Sequence, residues 1–372
     1  MTVAAAAVQV SAADELRAYL AGIVPEFRAQ WGGQESFPAA LAWQRLLHAG
    51  GWAAPSWPVA AGGRGLGVVD RVACDLELAA VDAPVAAGVL GLNNVGPALI
   101  LFGDDQQRLA LPLILAGDQI WAQGFSEPGA GSDLAALATA AVAVPGGFLV
   151  NGQKLWTSQG MEATHMMLLV RSDPTAAKHK GISVLLVDLG SPGIERRPVR
   201  QLTGASEFAE IFFTDVFVPD AALLGPLHEG WRVTMTTLGY ERSGVVAMAV
   251  RLQREVEVLI AGVTVTDPHL RDQLLRRYIE ARVTGLMGAR ALAALSEGQE
   301  PGAAQSVIKF AWSLAVAHLG ETMLDLAGSQ GLLAGDPATQ RFLSSRAATI
   351  AAGTTEIMKD LLAERVLGLP RG

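Results

Sequence analysis

The segment Gln123-Gly124-Phe125-Ser126-Glu127-Pro128-Gly129-Ala130-Gly131-Ser132-Asp133 is the most informative part of this sequence. Its glycines and alanine beside a proline leave backbone N–H groups unshielded by bulky side chains, as a loop that wraps the polar edge of a ligand requires. The same residues also suit an ordinary surface turn. The segment alone therefore leaves both interpretations open.

The residues that follow favour a ligand site. Short segments of alternating apolar residues are bounded by turn signals at Gly146-Gly147 and Asn151-Gly152. They lead into Lys154-Leu155-Trp156-Thr157-Ser158, where an indole and a hydroxyl lie two residues apart and therefore on one face of a strand. A flat aromatic side chain that covers a planar ring, with a hydroxyl on the same face, suits a flavin.

Length and composition exclude several classes of protein. The 372 residues exceed one typical core, so two or three domains are expected. A net charge of -8 without a Lys/Arg cluster disfavours a nucleic-acid partner. The single cysteine, Cys74, excludes an intrachain disulfide and a cysteine metal site, so no metal is expected. Neither a signal peptide nor an apolar run of about 18 residues is recognisable, which predicts a cytoplasmic protein without membrane insertion.

The pattern of apolar residues changes twice along the chain. Residues 1–120 show helical periodicity, residues 121–226 show short alternating runs, and residues 227–372 return to long helical segments. Three domains are therefore predicted. Two of the late helical segments read as antiparallel neighbours in a bundle. One of them carries His318 on its apolar face, where a packed core histidine is the favoured interpretation.

The sequence resembles the acyl-CoA dehydrogenase family over nearly its whole length. The motifs that carry the resemblance follow the family's order: W-A-A-P-S-W-P-V-A-A-G-G-R-G-L-G at 52–67, S-E-P-G-A-G-S-D at 126–133, N-G-Q-K-L-W-T-S at 151–158, F-F-T-D-V-F-V-P at 212–219 and G-T-T-E-I-M-K-D at 353–360. The resemblance implies an α+β, acyl-CoA dehydrogenase-like fold. It has an N-terminal all-α domain, a middle antiparallel β-domain and a C-terminal four-helix-bundle domain.

Members of this family remove the α-proton of an acyl thioester with a carboxylate while the β-hydrogen leaves as a hydride to flavin N5. Many carry the carboxylate immediately before the G-T dipeptide of the last motif, where this chain has Ala352. A subset that includes isovaleryl- and long-chain-type enzymes places a glutamate before an arginine on the helix after the β-domain. Glu241-Arg242 matches that pattern, so the resemblance assigns the catalytic base to Glu241.

The residues around Glu241 support this assignment independently. On a continuous helix its neighbours Leu238, Val245 and Met248 form an apolar stripe, which would raise the pKa of the carboxylate toward neutral pH and suit a general base. The alternative is a structural glutamate that caps or pairs. The empty base position at Ala352 favours the catalytic role.

The resemblance also assigns the binding residues. FAD would be held by Gln123, Phe125, Ser126, Gly131, Ser132, Trp156, Ser158, Thr354 and Glu356. Ser132 would in addition face the acyl-CoA, and Arg242 would support the CoA moiety or the base. The backbone N–H of Ala352 would donate to the thioester carbonyl, since a main-chain donor survives the loss of a side chain.

Two segments depart from the family at its subunit contacts. Residues 259–268 lack the family's R-x-x-F-G segment, and Gly328-Ser329-Gln330-Gly331 replaces G-G-N-G. A homotetramer, a homodimer and a heterotetramer with a related chain therefore all remain open, as does a non-catalytic half-site subunit. The implied electron acceptor is an electron-transfer flavoprotein; an oxidase, or an acyl carrier protein thioester as substrate, are alternatives. The implied setting is fatty acid or lipid metabolism.

Small side chains predict the shape of the substrate. Ala351 and Ala352 replace the larger residues often found before G-T, and residues 85–92, which line the acyl pocket by family position, are small and apolar. Unfilled apolar volume forfeits contacts, so a branched or bulky acyl group is expected to bind better than a straight chain.

Overall fold

The computed structural model of the chain describes residues 10–32, 36–241, 245–297, 299 and 304–370, without the side chains of 238–241, 245–247 and 304. Helices precede and follow a single sheet, which confirms the predicted fold class. All strands of these described residues lie between Trp121 and Pro219. A search of the described helices for a membrane-spanning segment finds none.

Six α-helices precede the sheet in the described part of the chain. They are α1 (Ala12–Trp31), α2 (Phe37–Ala49), α3 (Val68–Ala80), α4 (Gly96–Phe102), α5 (Asp105–Arg108) and α6 (Ala110–Ala116). Polar side chains fix where they begin: Ser11 accepts a hydrogen bond from the backbone N–H of Asp14, which satisfies one free donor of α1. Leu16 and Leu20 of α1 then pack with Trp43 of α2 in a buried apolar cluster.

Gln44 joins three parts of this helical region from a fully buried position. Its Oε1 accepts from the backbone N–H of Gly88 at 2.6 Å, and its Nε2 donates to the carbonyl of Ile114 at 2.8 Å. A buried amide costs free energy unless its donors and acceptors are paired, and here both ends are paired. Gln44 thus fixes α2 against α6 and against the segment that leads into the candidate site.

A π-helical turn (Gly91–Val95, here the π-turn) precedes α4. The N–H of Gly96 donates to the carbonyl of Gly91, five residues back. Pro97 has no N–H, so the carbonyl of Leu92 cannot be satisfied five residues on and instead accepts from Trp57 Nε1 at 2.9 Å. Gly96 permits this approach, because a Cβ there would lie 1.9 Å from the Trp57 ring. Such turns widen a helix locally and often occur at functional sites.

The middle region is a seven-stranded sheet. Its strands are β1 (Trp121–Gly124), β2 (Ala140–Val144), β3 (Gly147–Ser158), β4 (His165–Arg171), β5 (Ile182–Asp188), β6 (Ile194–Val199) and β7 (Phe208–Pro219). Most neighbours are antiparallel, as predicted, and the order is β1-β4-β2-β3-β7-β6 with β5 beside β4. The sequence did not predict that β1 runs parallel to β4. Parallel neighbours need a long crossover, which β2 and β3 provide.

Among the described residues after the sheet there are six α-helical segments. They are α7 (Gly230–Glu241), α8 (Val245–Gly262), α9 (Pro268–Ser296), α10 (Ala304–Ala327), α11 (Pro337–Ser345) and α12 (Thr355–Arg365). Gln273 bonds Asp325, and Glu280 bonds His318, so residue numbers rise along α9 as they fall along α10. The two helices are therefore antiparallel neighbours, as predicted.

The prediction that His318 is a packed core residue is wrong. Its side chain is 40% exposed, and Nδ1 lies 3.1 Å from Glu280 Oε1. The apolar residues of α9 likewise divide between two faces. Leu274 and Ala281 are buried, whereas Leu275 and Ile279 are exposed. Helical spacing alone does not reveal which of two apolar faces a neighbouring helix covers.

Candidate active site

The loop of residues 125–133, which follows β1 (here the Glu127 loop), reverses direction tightly. The N–H of Glu127 donates to the carbonyl of Ala130, and the N–H of Ala130 donates back to Glu127, both at 3.1 Å. Pro128 and Gly129 form the tip. Gly131 is exposed, and nothing lies within 4 Å of where its Cβ would be. The loop therefore offers its backbone to open space after Ala130.

A buried ion pair ties this loop to β3. Lys154 has a fully buried side chain, and its Nζ donates to Glu127 Oε1 at 2.8 Å and to the carbonyl of Phe125 at 3.1 Å. The Glu127 carboxylate accepts two further hydrogen bonds, from the N–H of Ala138 at 2.7 Å and of Thr139 at 2.9 Å. Both charges therefore have partners, as burial of an ion pair demands.

Both members of the pair are charged at neutral pH. Burial lowers the pKa of Lys154 to about 8, against the opposing attraction of Glu127. Burial alone would raise the pKa of Glu127, but Lys154 and the backbone donors outweigh it and bring the pKa below its ordinary value. The loop and the strand are thus connected by an ion pair that lies in surroundings of low dielectric constant.

One step beyond Lys154, β3 contains a bulge. Lys154 pairs with Ile211 and Thr157 pairs with Ala209, so Leu155 and Trp156 (here the β3 bulge) together face one residue of β7. The N–H of Leu155 is thereby free to donate to the carbonyl of Ser126 in the Glu127 loop, at 2.9 Å. A bulge re-aims the side chains around it and often lies next to a site.

The backbone is strained at this bulge. Trp156 has φ +61° and Gln159 has φ +53°, values that non-glycine residues rarely adopt. The Trp156 side chain is 55% exposed and meets Phe208 edge-on, with ring centroids 5.9 Å apart. Ser158 is half-buried. The indole predicted to cover a ring therefore has a large free surface beside the Glu127 loop.

Buried polar atoms without a hydrogen-bond partner lie on β1 and on or just beyond β3. Gln123 Nε2 on β1, Thr157 Oγ1 on β3 and Gln159 Oε1 just beyond it are buried without a hydrogen-bond partner. Buried polar groups in folded proteins are nearly always paired, so each is expected to receive a partner from outside the chain. Together they offer a donor, a hydroxyl and an acceptor. A flavin ring, whose polar edge carries both donors and acceptors, fits this set.

The predicted residues near the C-terminus form a second group. Ala352 and Gly353 have φ +53° and +98°, and Ala352 is exposed. The Thr354 hydroxyl caps α12 by accepting from the N–H of Ile357 at 3.2 Å, and Glu356 is exposed in the first turn. These contacts stay within the C-terminal helices, so they do not themselves bring this group to the Glu127 loop.

The predicted base lies at the end of α7. Val233, Thr234 and Thr237 are buried on this helix, which packs against the π-turn. Residue 241 follows Thr237 by four positions and Val233 by eight. The side chain of Glu241 and all of Arg242 lie outside the described residues. Two of the predicted apolar neighbours of Glu241, Val245 and Met248, lie beyond residues 242–244, which are outside the described residues.

Sequence reasoning missed the Glu127–Lys154 pair and the unpaired Thr157 hydroxyl. Lysine is among the residues least often buried, so nothing in the amino-acid sequence indicates that Lys154 is a core residue. The bulge also changes which side chains of β3 face inward, and simple alternation cannot predict it. The one available signal in the sequence was that Thr157 lies between Trp156 and Ser158, the two residues that were predicted to contact the flavin.

Comparison with known proteins identifies the family. Family models of the acyl-CoA dehydrogenase N-terminal, middle and C-terminal domains match residues 7–118, 122–216 and 228–367. The chain belongs to the acyl-CoA dehydrogenase family. It is an oxidoreductase enzyme of the acyl-CoA dehydrogenase type, and its relatives are flavoproteins as a family. Among its described residues, no three or more His, Cys, Asp or Glu side chains are grouped to hold a metal ion.

Individual relatives show how far the likeness extends. Acyl-CoA dehydrogenase IpdE1 of Mycobacterium tuberculosis is 40% identical over 91% of this dehydrogenase and 90% of its own length. Acyl-CoA dehydrogenase FadE34 of the same organism is 40% identical over 95% of this chain but 50% of its own length. Among solved structures, the "Tcur3481-Tcur3483 steroid ACAD" gives a TM-score of 0.85 at 29% identity, covering 97% of both chains. The ChsE4-ChsE5 complex from Mycobacterium tuberculosis gives 0.81 at 30% identity, covering all of both.

The ion pair generates a prediction for this dehydrogenase. Glu127→Gln and Lys154→Met each leave one buried charge without its partner and should lower the free energy of unfolding by about 3–5 kcal/mol. The double variant Glu127→Gln/Lys154→Met should be destabilised by clearly less than the sum, since no unpaired charge remains. Urea unfolding of the four proteins measures this.

The exposed pair Lys178–Asp133 is the matched control for this cycle. Its side chains are more than half exposed, so Lys178→Met should leave the urea midpoint unchanged within error. Additive losses in the Glu127/Lys154 cycle would show that the two charges are not coupled.

Proposed function

We propose that this chain uses FAD to oxidise an acyl-CoA thioester to the trans-2-enoyl thioester, with Glu241 as the base that removes the α-proton. The observation that carries this proposal is that α7, whose last described residue is 241, packs against the π-turn. The segment just before the π-turn is the one that lines the acyl pocket by family position. The base would thus lie beside the acyl group.

Ala352 supports this assignment of the base. A methyl group cannot accept a proton, so the usual position of the carboxylate is empty in this chain. Its backbone is nevertheless held at φ +53°, a conformation that costs about 1–3 kcal/mol for a non-glycine residue. The N–H of Ala352 would donate to the thioester carbonyl and stabilise the negative charge that develops there as the α-proton leaves.

The Glu127 loop and the β3 bulge would hold the flavin. Trp156 would cover the ring with its exposed indole face, and Gln123 and Thr157 would pair with the polar edge. Ser126 and Ser158 would flank it, with Phe125, Gly131 and Ser132 along the loop and Thr354 and Glu356 toward the far part of FAD. Bound FAD would supply the acceptor for the β-hydrogen, which leaves as a hydride. The protein's part is to hold ring and thioester on opposite sides of the reacting carbons.

Thr157→Val tests the flavin site. The substitution keeps the shape of the side chain but removes the unpaired hydroxyl, so the variant should retain at least tenfold less FAD after dialysis while its apoprotein unfolds at an equal or higher urea concentration. Thr284→Val is the control, because that buried hydroxyl already bonds the carbonyl of Glu280 at 2.7 Å. Unchanged FAD retention in Thr157→Val would place the ring elsewhere.

Glu241→Gln tests the base. The amide has the size of the carboxylate but cannot take the α-proton, and positioned proton transfer contributes about 10²–10⁴ to the rate. The expected result is a loss of turnover of at least that size with the flavin spectrum and flavin content unchanged. Stopped-flow reduction of the bound flavin by acyl-CoA measures the chemical step. Turnover at the parent rate with flavin bound would contradict the assignment.

The acyl group would be branched or ring-bearing. Ala351 and Ala352 are small and exposed, and residues 85–92 add further small side chains on the acyl side. A bulky group would fill the space they leave, at about 25 cal/mol per Å² of apolar surface covered. The description of one similar structure as a steroid ACAD points in the same direction.

A comparison of acyl-CoA substrates decides this point. We expect kcat/KM to be about tenfold or more higher for ring-bearing or 2-methyl-branched acyl-CoA than for straight chains of equal carbon number, with a ferrocenium-type electron acceptor. Higher kcat/KM for the straight chains would refute the argument from pocket size while leaving the dehydrogenase reaction intact.

Two observations favour an alternative in which this chain assembles with a second, related chain into a heteromer. The similar structures include complexes of two different chains, Tcur3481-Tcur3483 and ChsE4-ChsE5. This chain also exposes an apolar stripe on α9, formed by Leu275, Ile279, Val283 and Leu286. In such an assembly this chain would supply the catalytic or the half-site subunit, and an electron-transfer flavoprotein would be the electron acceptor. The number of FAD molecules per chain in the purified protein distinguishes a catalytic subunit from a half-site subunit. About one FAD per chain indicates a catalytic subunit, and none indicates a non-catalytic one.

A further inference from the structure

The π-turn holds a buried amide that has no partner for its N–H groups. Asn94 is 2% exposed, and its Nδ2 makes no hydrogen bond. The neighbouring Asn93 differs, because it is half-buried and its Oδ1 accepts from Arg71 at 3.0 Å. An unpaired buried amide costs about 1–3 kcal/mol, which folded proteins seldom tolerate without a use.

The surroundings of Asn94 offer no substitute for a hydrogen bond. Leu92, two residues before Asn94, and Val95, directly after it, belong to the same buried apolar cluster as Trp121 and Val233. Polar groups in such surroundings lose their hydration without compensation. The position is nonetheless specified by the chain, since Pro97 and the Trp57–Leu92 contact fix the widened turn.

The place of the π-turn in the fold indicates which ligand would reach Asn94. The turn packs between β1, which carries Gln123, and α7, which ends at residue 241. A Cβ on Gly91 would come within 3.7 Å of the Trp121 side chain at the start of β1. Asn94 therefore belongs to a turn that contacts both the predicted flavin strand and the helix of the proposed base.

We infer that Asn94 is a substrate-binding residue whose amide donates to an oxygen atom within the acyl group. The inference rests on the proposed function and narrows its substrate class to acyl thioesters that carry a hydroxyl, keto or carboxylate oxygen on the acyl portion. An amide Nδ2 only donates, so its partner must be an acceptor. A hydrocarbon acyl group would keep the amide buried and unpaired, and the site therefore discriminates against it.

Asn94→Leu tests this inference with two independent measurements. The first is the urea midpoint of the apoprotein, which should stay equal or rise, because a group of similar shape replaces an unpaired amide. The second is the affinity, by calorimetry, for two unreactive thioether analogues of a ring-bearing acyl-CoA, one with a keto oxygen on the ring and one without. The parent should bind the keto analogue about tenfold more tightly, and Asn94→Leu should bind both equally.

Gln44→Leu is the matched control for stability. Gln44 is also a buried amide, but both of its ends are paired, so its replacement leaves Gly88 N–H and the Ile114 carbonyl without partners and should lower the midpoint markedly. Asn94→Ala is the second variant for affinity. It removes the amide with no added volume and should abolish the preference for the keto analogue as well.

Two results would overturn the inference. One is a parent protein that binds the two analogues equally. The other is a variant that keeps the parent's preference and loses stability as Gln44→Leu does, which would show that the Asn94 amide serves the fold or holds a buried water. Because the analogues are unreactive, these outcomes do not depend on turnover. Failure of the proposed function would appear separately, as a parent protein that oxidises no acyl thioester.

Discussion

The buried contact between Lys154 and Glu127 is the constraint on which the candidate site depends. Two charges withdrawn from water are tolerated only when each finds its partner, so the Glu127 loop and β3 have one acceptable relative position. That position fixes the carbonyl of Phe125 and the register of β3 up to residue 154. The bulge begins immediately afterwards, which allows Leu155 to bond Ser126. A slip of one residue along the strand would break all of these contacts at once.

This rigidity also explains how the chain sustains strained backbone nearby. Trp156, Gln159 and Ala352 all adopt left-handed conformations that cost about 1–3 kcal/mol each for non-glycine residues. Such conformations persist only when the surrounding contacts determine them. The strained residue Trp156 follows Lys154, which forms the ion pair with Glu127, and it precedes Thr157, which pairs with Ala209 of β7. Near Ala352, buried Lys309 donates to the carbonyl of Ala348 at 2.8 Å and secures the preceding turn. Orientation of the indole and of the Ala352 N–H is thereby set before a ligand arrives.

The sequence predicted the features that repeat or that leave a chemical signature. The helix–sheet–helix order, the antiparallel pair α9 and α10 and the membership of the family are of this kind. The sequence did not predict the burial or exposure of a side chain where this depends on residues that become neighbours only in the folded structure. Burial of Lys154 depends on Glu127 lying 27 positions away, and the exposure of His318 depends on which face of α10 meets α9. The π-turn was predictable in part, since Pro97 removes a donor, but the indole of Trp57 that replaces it comes from another segment.

The distribution of unpaired polar atoms connects the stable part of the fold with the site. Gln44 and Thr284 are buried polar side chains that serve the fold, and their hydrogen bonds are made within the chain. Gln123 Nε2, Thr157 Oγ1 and Asn94 Nδ2 lack partners, and they lie on β1, β3 and the π-turn, of which β1 contacts the other two. Each unpaired atom lowers the stability of the empty protein and adds to the affinity for a ligand that pairs with it. The stabilising contacts of Gln44 and Lys154 offset that cost, so this dehydrogenase can keep a ready set of donors and acceptors in one apolar region without losing its fold.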